Sequence, residues 1–303
     1  MNYPLVQKLV SFFLSFVSLF ITVKGGQWAD SAEGYDFPRI GVTEQEEGTV
    51  RVLSFNVRVG DVNGVEQKKR RNIVERQINE IMPDSFGVQE ANRPWMKKLA
   101  LMLPQYGHVG VDRDTGKKRG KGEYAAVFYL KAKYKVVDSG NFWLSETPDE
   151  PSYGPGAAYK RVCTWVILMN RSTKQKYVHI NTHFDHVSED ARVLAGEYVN
   201  NYIKNKFEGL PVVFTADMNT TSDGAAYAKM TENLCDARLA AEDCMSYGTF
   251  HGLNPAGHAD YDIDFILCSP QITVKTYRTV TEGIDGRFVS DHFPIYADIV
   301  IPS

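Results

Sequence analysis

The sequence is short of cysteine and has no Cys-x-x-Cys pair: four thiols, Cys163, Cys235, Cys244 and Cys268, are spread over 303 residues. A structural zinc site of the thiolate type draws on closely spaced pairs, so that class is set aside. Cys235 and Cys244 lie in one polar stretch and could close a short disulfide if the chain is exported, a state the sequence leaves open. Cys163 and Cys268 lie in apolar segments and are expected as buried thiols. An excess of either charge is also missing. Thirty-four basic against thirty-seven acidic side chains leave a formal net charge of -3. No global field then draws in a polyanion, and any nucleic-acid contact would need a local basic patch. Internal repeats and low-complexity tracts are absent, and no domain boundary shows beyond the N-terminal segment.

Only one long apolar run occurs, Leu9 to Val23, with Lys8 before it and Lys24-Gly25-Gly26 after it. It is short for a membrane span. It fits the apolar region of a secretory signal, with cleavage expected near Gly25 or Gly26. A membrane anchor and a buried helix are the alternatives. No cysteine follows the run, which argues against a lipid-anchored export signal. Residues 1–25 are therefore expected as a signal peptide or anchor, 26–48 as a linker, and 49–303 as one folded domain. The expected location is periplasmic or secreted.

What is present suits a large core: 43% hydrophobic and 23% charged residues, ordinary for a globular protein. Val50 to Val57 reads as a strand. Gln67 to Ile81 carries Ile73, Val74, Ile78 and Ile81 at helical spacing. Ser85 to Val88 is a short buried strand ending at Gln89-Glu90, and Pro94 to Leu103 a second helix. Lys117-Lys118-Arg119-Gly120-Lys121 is a basic loop, open to reading as a solvated turn or a phosphate contact. Val162 to Met169 and Tyr177 to Asn181 form a hairpin. Ser188 caps a helix with Glu189 and Asp190 in its first turn. Leu210 to Ala216 is a buried strand that delivers Asp217, and Asp223 to Leu234 reads as helix. Ile263 to Cys268 and Phe293 to Ile301 close the chain. Roughly nine strands and four helices in this order suit two packed sheets covered by helices, an α+β arrangement.

Polar residues stand where these strands end. Ser290-Asp291-His292-Phe293-Pro294 sets an acid beside an imidazole before an apolar run. Neighbours on a strand point to opposite faces, so Asp291 is badly placed to orient His292, and each needs a partner from elsewhere. Glu90, Asp217, Asp264 and Asp291 supply four carboxylates, which cannot all ionise at close range without a cation. Oxygen donors, with the amides of Asn56 and Asn219, suit a hard ion such as Mg²⁺ or Mn²⁺. His183 and His292 add an acid/base and a stabiliser of phosphate charge. These are the parts of metal-assisted phosphoester hydrolysis.

The order of these stretches resembles the endonuclease/exonuclease/phosphatase (DNase-I-like) superfamily. The carriers are Ser54-Phe55-Asn56-Val57, Gln89-Glu90, Asn181-Thr182-His183, Ala216-Asp217-Met218-Asn219, Ile263-Asp264-Phe265-Ile266 and Ser290-Asp291-His292. Phe142 to Pro148, Arg161 to Trp165, His183-Phe184-Asp185-His186 and Thr249 to Gly252 are similar to a bacterial exported subgroup related to deadenylase-like exonucleases. The resemblance implies a four-layer α/β/β/α sandwich, two mixed sheets face to face with helices outside, and a site where strand ends meet. It implies that Glu90, Asn56 and Asp291 hold Mg²⁺ or Mn²⁺. Asp217 would orient or deprotonate the attacking water, and Asn219 would hold the phosphate or that water. His183 would donate to a phosphate oxygen, and Asp264 would orient His292 against the phosphoryl group. Arg161, Tyr124 and His251 are candidates for phosphate or leaving-group contacts. The expected enzyme is a metal-dependent phosphodiesterase or nuclease. A phosphomonoesterase or lipid-headgroup phosphoesterase is the alternative, and a non-catalytic binding module is a third reading. Its partner is a phosphoester substrate, and the chain is expected as a monomer.

Overall fold

The computed structural model describes residues 38–61, 67–252, 261–285 and 288–302. The expected signal segment, its cleavage site and residues 26–37 of the expected linker lie outside these. Residues 38–48, the rest of that linker, are not loose. Ile40 is buried, its N–H donates to Thr281 Oγ1, and Thr43 N donates to the Tyr296 hydroxyl at 2.9 Å. This segment is fastened along the domain.

The described residues form thirteen strands and five helices. In order these are β1 Val50–Asn56, α1 Gln67–Ile81, β2 Ser85–Asn92, α2 Arg93–Met102, β3 Tyr106–Val109, β4 Glu123–Leu130, β5 Tyr134–Trp143, β6 Val162–Asn170 and β7 Lys176–His183. Then come α3 Glu189–Lys206, β8 Val212–Asp217, α4 Ala225–Thr231, β9 Cys235–Asp236, α5 Ala237–Ala240, β10 Asp243–Met245, β11 Asp264–Cys268, β12 Thr273–Thr279 and β13 Ile295–Val300. One sheet has seven strands in the order β10-β12-β13-β1-β2-β4-β3, the other six in the order β5-β6-β7-β8-β11-β9. Both are mixed: β1–β2 and β7–β8 run parallel, while β1–β13 and β8–β11 run antiparallel.

The two-residue period of the strands sorts their side chains into layers. On β1, Leu53 and Phe55 join Ile73, Val74 and Ile78 of α1 and Trp95 and Leu99 of α2 in one outer core. Val50 and Val52 face the other way, into the core between the sheets, with Val213, Ile266, Ala297 and Ile299. The second outer core packs Val178, Ile180, Phe214 and Phe265 under Val199 and Ile203 of α3 and Met230 of α4. This is the four-layer α/β/β/α sandwich.

Along the inner layer the apolar floor gives way to polar groups. His179 bridges the sheets, with Nδ1 2.7 Å from Ser85 Oγ and Nε2 3.0 Å from Thr215 Oγ1. Asn181 accepts from Gln89 Nε2 at 2.7 Å and donates to the carbonyls of Val88 and Ala126. Gly87 permits this approach, because a Cβ there would overlap Asn181 Oδ1 and Thr215 Oγ1.

Several boundaries differ from the sequence pattern. The helix expected over Asp223 to Leu234 is confined to Ala225–Thr231. Strand β12 is not legible because a register shift lies between Val274 and Thr276, so its inward residues Val274 and Tyr277 are three apart instead of two. The α3 start is as expected: Ser188 Oγ accepts from Ala191 N, with Glu189 and Asp190 in the first turn. Cys163 and Cys268 are buried, as expected. The disulfide left open between Cys235 and Cys244 is not formed. Both are free and exposed, Cys235 on β9 of the six-stranded sheet and Cys244 on β10 of the seven-stranded one.

Candidate active site

Continuing the inner face of each strand to its end reaches the polar groups singled out above. On β1, Ser54 and Asn56 follow Val50 and Val52. On β7, His183 follows His179 and Asn181. On β8, Asp217 follows Val213 and Thr215. On β11, Asp264 precedes Ile266. Register brings them level: Asp217 is paired with His183 on one side and with Asp264 on the other. Asn56 crosses from the opposite sheet, and its Nδ2 donates to Asp217 Oδ2 at 2.8 Å.

Glu90 reaches the same point by a distortion. Regular alternation would turn it outward with Phe86 and Val88, which lie in the outer core. The β2–β4 register shifts between Val88 and Ala91, and Glu90 has a φ of 59°. Its Oε1 then accepts from Asn56 Nδ2 at 3.1 Å and its Oε2 from Val59 N at 2.8 Å. Arg58 and Asn219 also adopt positive φ, 56° and 48°. Left-handed backbone in non-glycine residues is costly and collects at functional sites. Arg70 of α1, fully buried, holds this turn by donating to the carbonyls of Val57 and Arg58 at 3.0 and 2.8 Å.

His292 is oriented by Asp264 across the sandwich: Nδ1 lies 2.8 Å from Asp264 Oδ2. Its Nε2 lies 3.7 Å from Asp217 Oδ2 and 4.0 Å from Asp291 Oδ1. Burial works against a charged imidazole here, but the carboxylates of Asp264 and Asp217 outweigh it and hold the His292 pKa well above the ordinary value. Asp217 is raised in turn, by burial first and by the charge of Asp264 second. His183 is the opposite case: burial, then the charge of Arg161, push it well down, so its ring is neutral. Its Nε2 lies 2.9 Å from Asn219 Nδ2 and 3.4 Å from Asp217 Oδ2. Asn219 Nδ2 donates to His183 Nε2 in this arrangement, so donation from His183 to a phosphate oxygen requires the other tautomer.

Asp291 stands between two cationic groups: its Oδ1 faces His292 Nε2 at 4.0 Å, and its Oδ2 lies 3.3 Å from Arg58 Nη1. Glu90, His183, Asp217, Asn219 and His292 open on one cleft of about 450 Å³. Of the three candidate contact residues, Arg161 lines this cleft. His251 does not line it, and Tyr124 borders instead a small adjoining hollow together with Glu90, Arg161 and His183. Tyr124 is buried and its hydroxyl donates to Gly120 O at 3.0 Å, fastening the basic loop. His251 is buried behind Asp291, whose carbonyl accepts its N–H, and its ring packs on Phe293 at 4.4 Å. The exposed Lys117, Lys118, Arg119 and Lys121 are likewise absent from the cleft lining, so that run reads as a solvated turn. The cleft has a further wall, Arg113, Glu123, Tyr159 and His186, of which only His186 lies in a stretch that the sequence singled out.

The donor set fits a hard cation. Glu90, Asp217 and Asp291 are carboxylates, and the Asn56 amide already joins Glu90 to Asp217; turned over, the same amide presents oxygen. A second grouping, Asp217, Asp264 and His292, has one ligand atom from each residue within 4.8 Å of the others. There Asp264 is committed to His292, which makes that trio a hydrogen-bonded relay as much as a set of open donors.

A family model described as the Endonuclease/Exonuclease/phosphatase family matches residues 53–292. No curated protein matches the sequence at a significant level. Among solved structures, an endonuclease/exonuclease/phosphatase family protein from Bacteroides thetaiotaomicron is 31% identical, with 86% of this chain and 97% of that one covered and a TM-score of 0.79. A mannosyl-6-phosphatase from the same organism is 31% identical, covering 83% of this chain and 100% of that one at a TM-score of 0.78. A Bacteroides vulgatus endonuclease/exonuclease/phosphatase is 35% identical, covering 84% and 99%, also at 0.78.

Proposed function

Because the chain belongs to the endonuclease/exonuclease/phosphatase family, whose members hydrolyse phosphoesters, we propose that it is a divalent-metal-dependent phosphomonoesterase acting on a small phosphorylated polyol. One observation carries the catalytic reading. Side chains from both sheets, Asn56 and Glu90 from one and Asp217 from the other, join through a single amide beside the Asp264–His292 pair. What supports the monoester over a nucleic acid is threefold. Trp95, Trp143 and Trp165 are buried and offer no face to bases, the net charge is -3, and a relative of 31% identity is a mannosyl-6-phosphatase.

Glu90, Asn56 and Asp291 would hold Mg²⁺ or Mn²⁺. When bound, the cation supplies Lewis-acid stabilisation of the charge that builds on phosphoryl and leaving oxygens. Asp217 accepts a hydrogen bond from the attacking water and takes its proton. Asn219 holds that water or a phosphoryl oxygen in line. The water oxygen bonds to phosphorus as the P–O bond to the alcohol breaks, and the departing oxygen is protonated from water. His292, cationic and fixed by Asp264, faces the phosphoryl oxygens, where a preorganised donor acts at little reorganisation cost.

A phosphodiesterase reading has one observation in its favour. Arg71, Arg93, Lys97 and Lys98 line a second hollow, of about 420 Å³, on the α1–α2 surface, and α2 begins three residues after Glu90. A longer polyanion would lie along it. The deciding assay is a panel of hexose 6-phosphate, p-nitrophenyl phosphate, bis-p-nitrophenyl phosphate, single-stranded RNA and sphingomyelin, each with and without EDTA. Phosphate release from the monoesters, abolished by EDTA, supports the proposal. Turnover confined to the diesters overturns it in favour of the second reading.

A further inference from the structure

The wall opposite His292 is built as carefully as the catalytic end, yet none of the steps above uses it. Arg113 Nη1 pairs with Glu123 Oε2 at 2.8 Å, and Arg161 Nε pairs with Asp185 Oδ2 at 3.3 Å. Tyr159 stands between them. The Arg113 guanidinium lies over its ring at 4.7 Å, and the His186 ring is stacked at 5.7 Å with an interplanar angle of 19°. Arg161 Nη2 lies 3.1 Å from His186 Nδ1. Tyr159 itself is 49% exposed.

Asp185 is the fastening of this wall. Its carboxylate accepts from the backbone N–H groups of Ala158, Tyr159, Val187 and Ser188. One buried acid thereby ties the Tyr159 loop to the start of α3 and aims Arg161. This accounts for Asp185 and His186, which the sequence set in one stretch with His183.

The chemistry of the wall selects its occupant. Each guanidinium is already matched by a carboxylate, so the wall has little net charge with which to attract a second anion. Donors and acceptors stand side by side, which suits hydroxyl groups, each able to give and to accept. Arg113 Nε and Arg161 Nη1 are buried donors with no partner among the described residues, and such groups are costly until something bonds to them. Arg113, Glu123 and Arg161 also border Glu90 and His183 around a small adjoining hollow, so the wall abuts the catalytic groups.

We propose that Arg113, Glu123, Tyr159, Arg161 and His186 form a sugar-ring subsite that receives the hydroxylated leaving group and sets selectivity over aryl phosphates. The proposal rests on the phosphomonoesterase reading and names its substrate class. Asp185 is a positioning residue of this subsite.

The test compares wild type with Arg113→Met and Glu123→Gln, both checked for an unchanged melting transition. The quantity read is the ratio of kcat/KM for hexose 6-phosphate to that for p-nitrophenyl phosphate. Each variant is expected to lower this ratio about tenfold or more, the size of one lost charged hydrogen bond to a hydroxyl, mainly through KM. A ratio unchanged within twofold overturns the subsite. A second measurement does not depend on turnover: saturation-transfer NMR of a free hexose with the unreacted protein. Contact in wild type that is lost in Glu123→Gln supports the subsite. No contact in wild type overturns it even if the protein proves to be a phosphatase. Absence of monoester hydrolysis together with hexose contact would remove the proposed function while leaving the subsite standing.

Discussion

Replacing Asp264 by Asn isolates the unit on which the proposed catalysis depends. In the parent, Asp264 Oδ2 accepts from His292 Nδ1 at 2.8 Å, and both side chains are at most 5% exposed. The substitution keeps the shape and removes one negative charge. Two effects on stability then oppose each other. The buried imidazolium loses its closest partner, which costs stability. Asp217, cross-strand neighbour of Asp264 and raised partly by its charge, loses a repulsive neighbour, which restores it. The net change in unfolding free energy is therefore expected to stay within about 1 kcal/mol, below the 3–5 kcal/mol of breaking an isolated buried pair. The rate should not be spared. Without the carboxylate the imidazole loses both its fixed orientation and the charge that keeps it protonated, and losing one preorganised donor costs on the order of a hundredfold or more. The cationic form is also lost at lower pH than in the parent, so the alkaline limb of activity moves to lower pH. The assay is kcat/KM against pH on whichever phosphoester the parent hydrolyses, beside a urea titration. Asp264→Asn, His292→Ala and the double variant complete the set. The double variant is expected to be no worse than His292→Ala alone, because the two act as one unit. Additive losses, or a stable Asp264→Asn protein with full activity, would refute this account of the pair.

Three further outcomes follow from the same geometry. EDTA should abolish phosphate release, and Mg²⁺ or Mn²⁺ should restore it, whereas Glu90→Gln should need at least about tenfold more metal for half activity; restoration at unchanged metal concentration would remove Glu90 from the ligand set. His179, fully enclosed between the sheets, is held neutral by burial with its pKa lowered to about 3. Its contribution is intact above the unfolded value near 6.5 and is lost as pH falls toward 3, at about 1.4 kcal/mol per pH unit. The drop in urea midpoint between pH 7 and pH 5 should accordingly be smaller in His179→Gln than in the parent, and equal drops would contradict the assignment. Gly87→Ala sets a methyl against Asn181 and Thr215 and is expected to cost about 1–3 kcal/mol, read as a lowered melting temperature; no change would mean that the sheets can separate at this point.

Two packed sheets under helices were legible from the order of strand-like and helical segments, and the four layers were implied by the family resemblance. Val50-Val52 and Leu53-Phe55 already assign β1 two faces, and the polar residues at the ends of β1, β7, β8 and β11 simply continue the inward one. That His292 needs a partner other than Asp291 followed from strand alternation, and that the partner is Asp264 was implied by the family resemblance. The chain alone also held the candidate acids, amides and imidazoles of the site, since their types and order survive without coordinates. What only the tertiary structure decided is where the period breaks and where loops meet. The bulge at Glu90 turns an outward residue inward, and the shift in β12 hides a strand, because both depend on a neighbouring strand's register. His251 was separated from Arg161 by packing, which seals it behind Asp291, while Tyr124, its hydroxyl tied to the basic loop, shares a small hollow with Arg161, Glu90 and His183. Arg113, Tyr159 and His186 come from three loops with no common motif. Their spacing does not announce them as one group, because the contacts are made through space: Arg113 lies over the Tyr159 ring, and Asp185 ties the Tyr159 loop to the segment that follows His186.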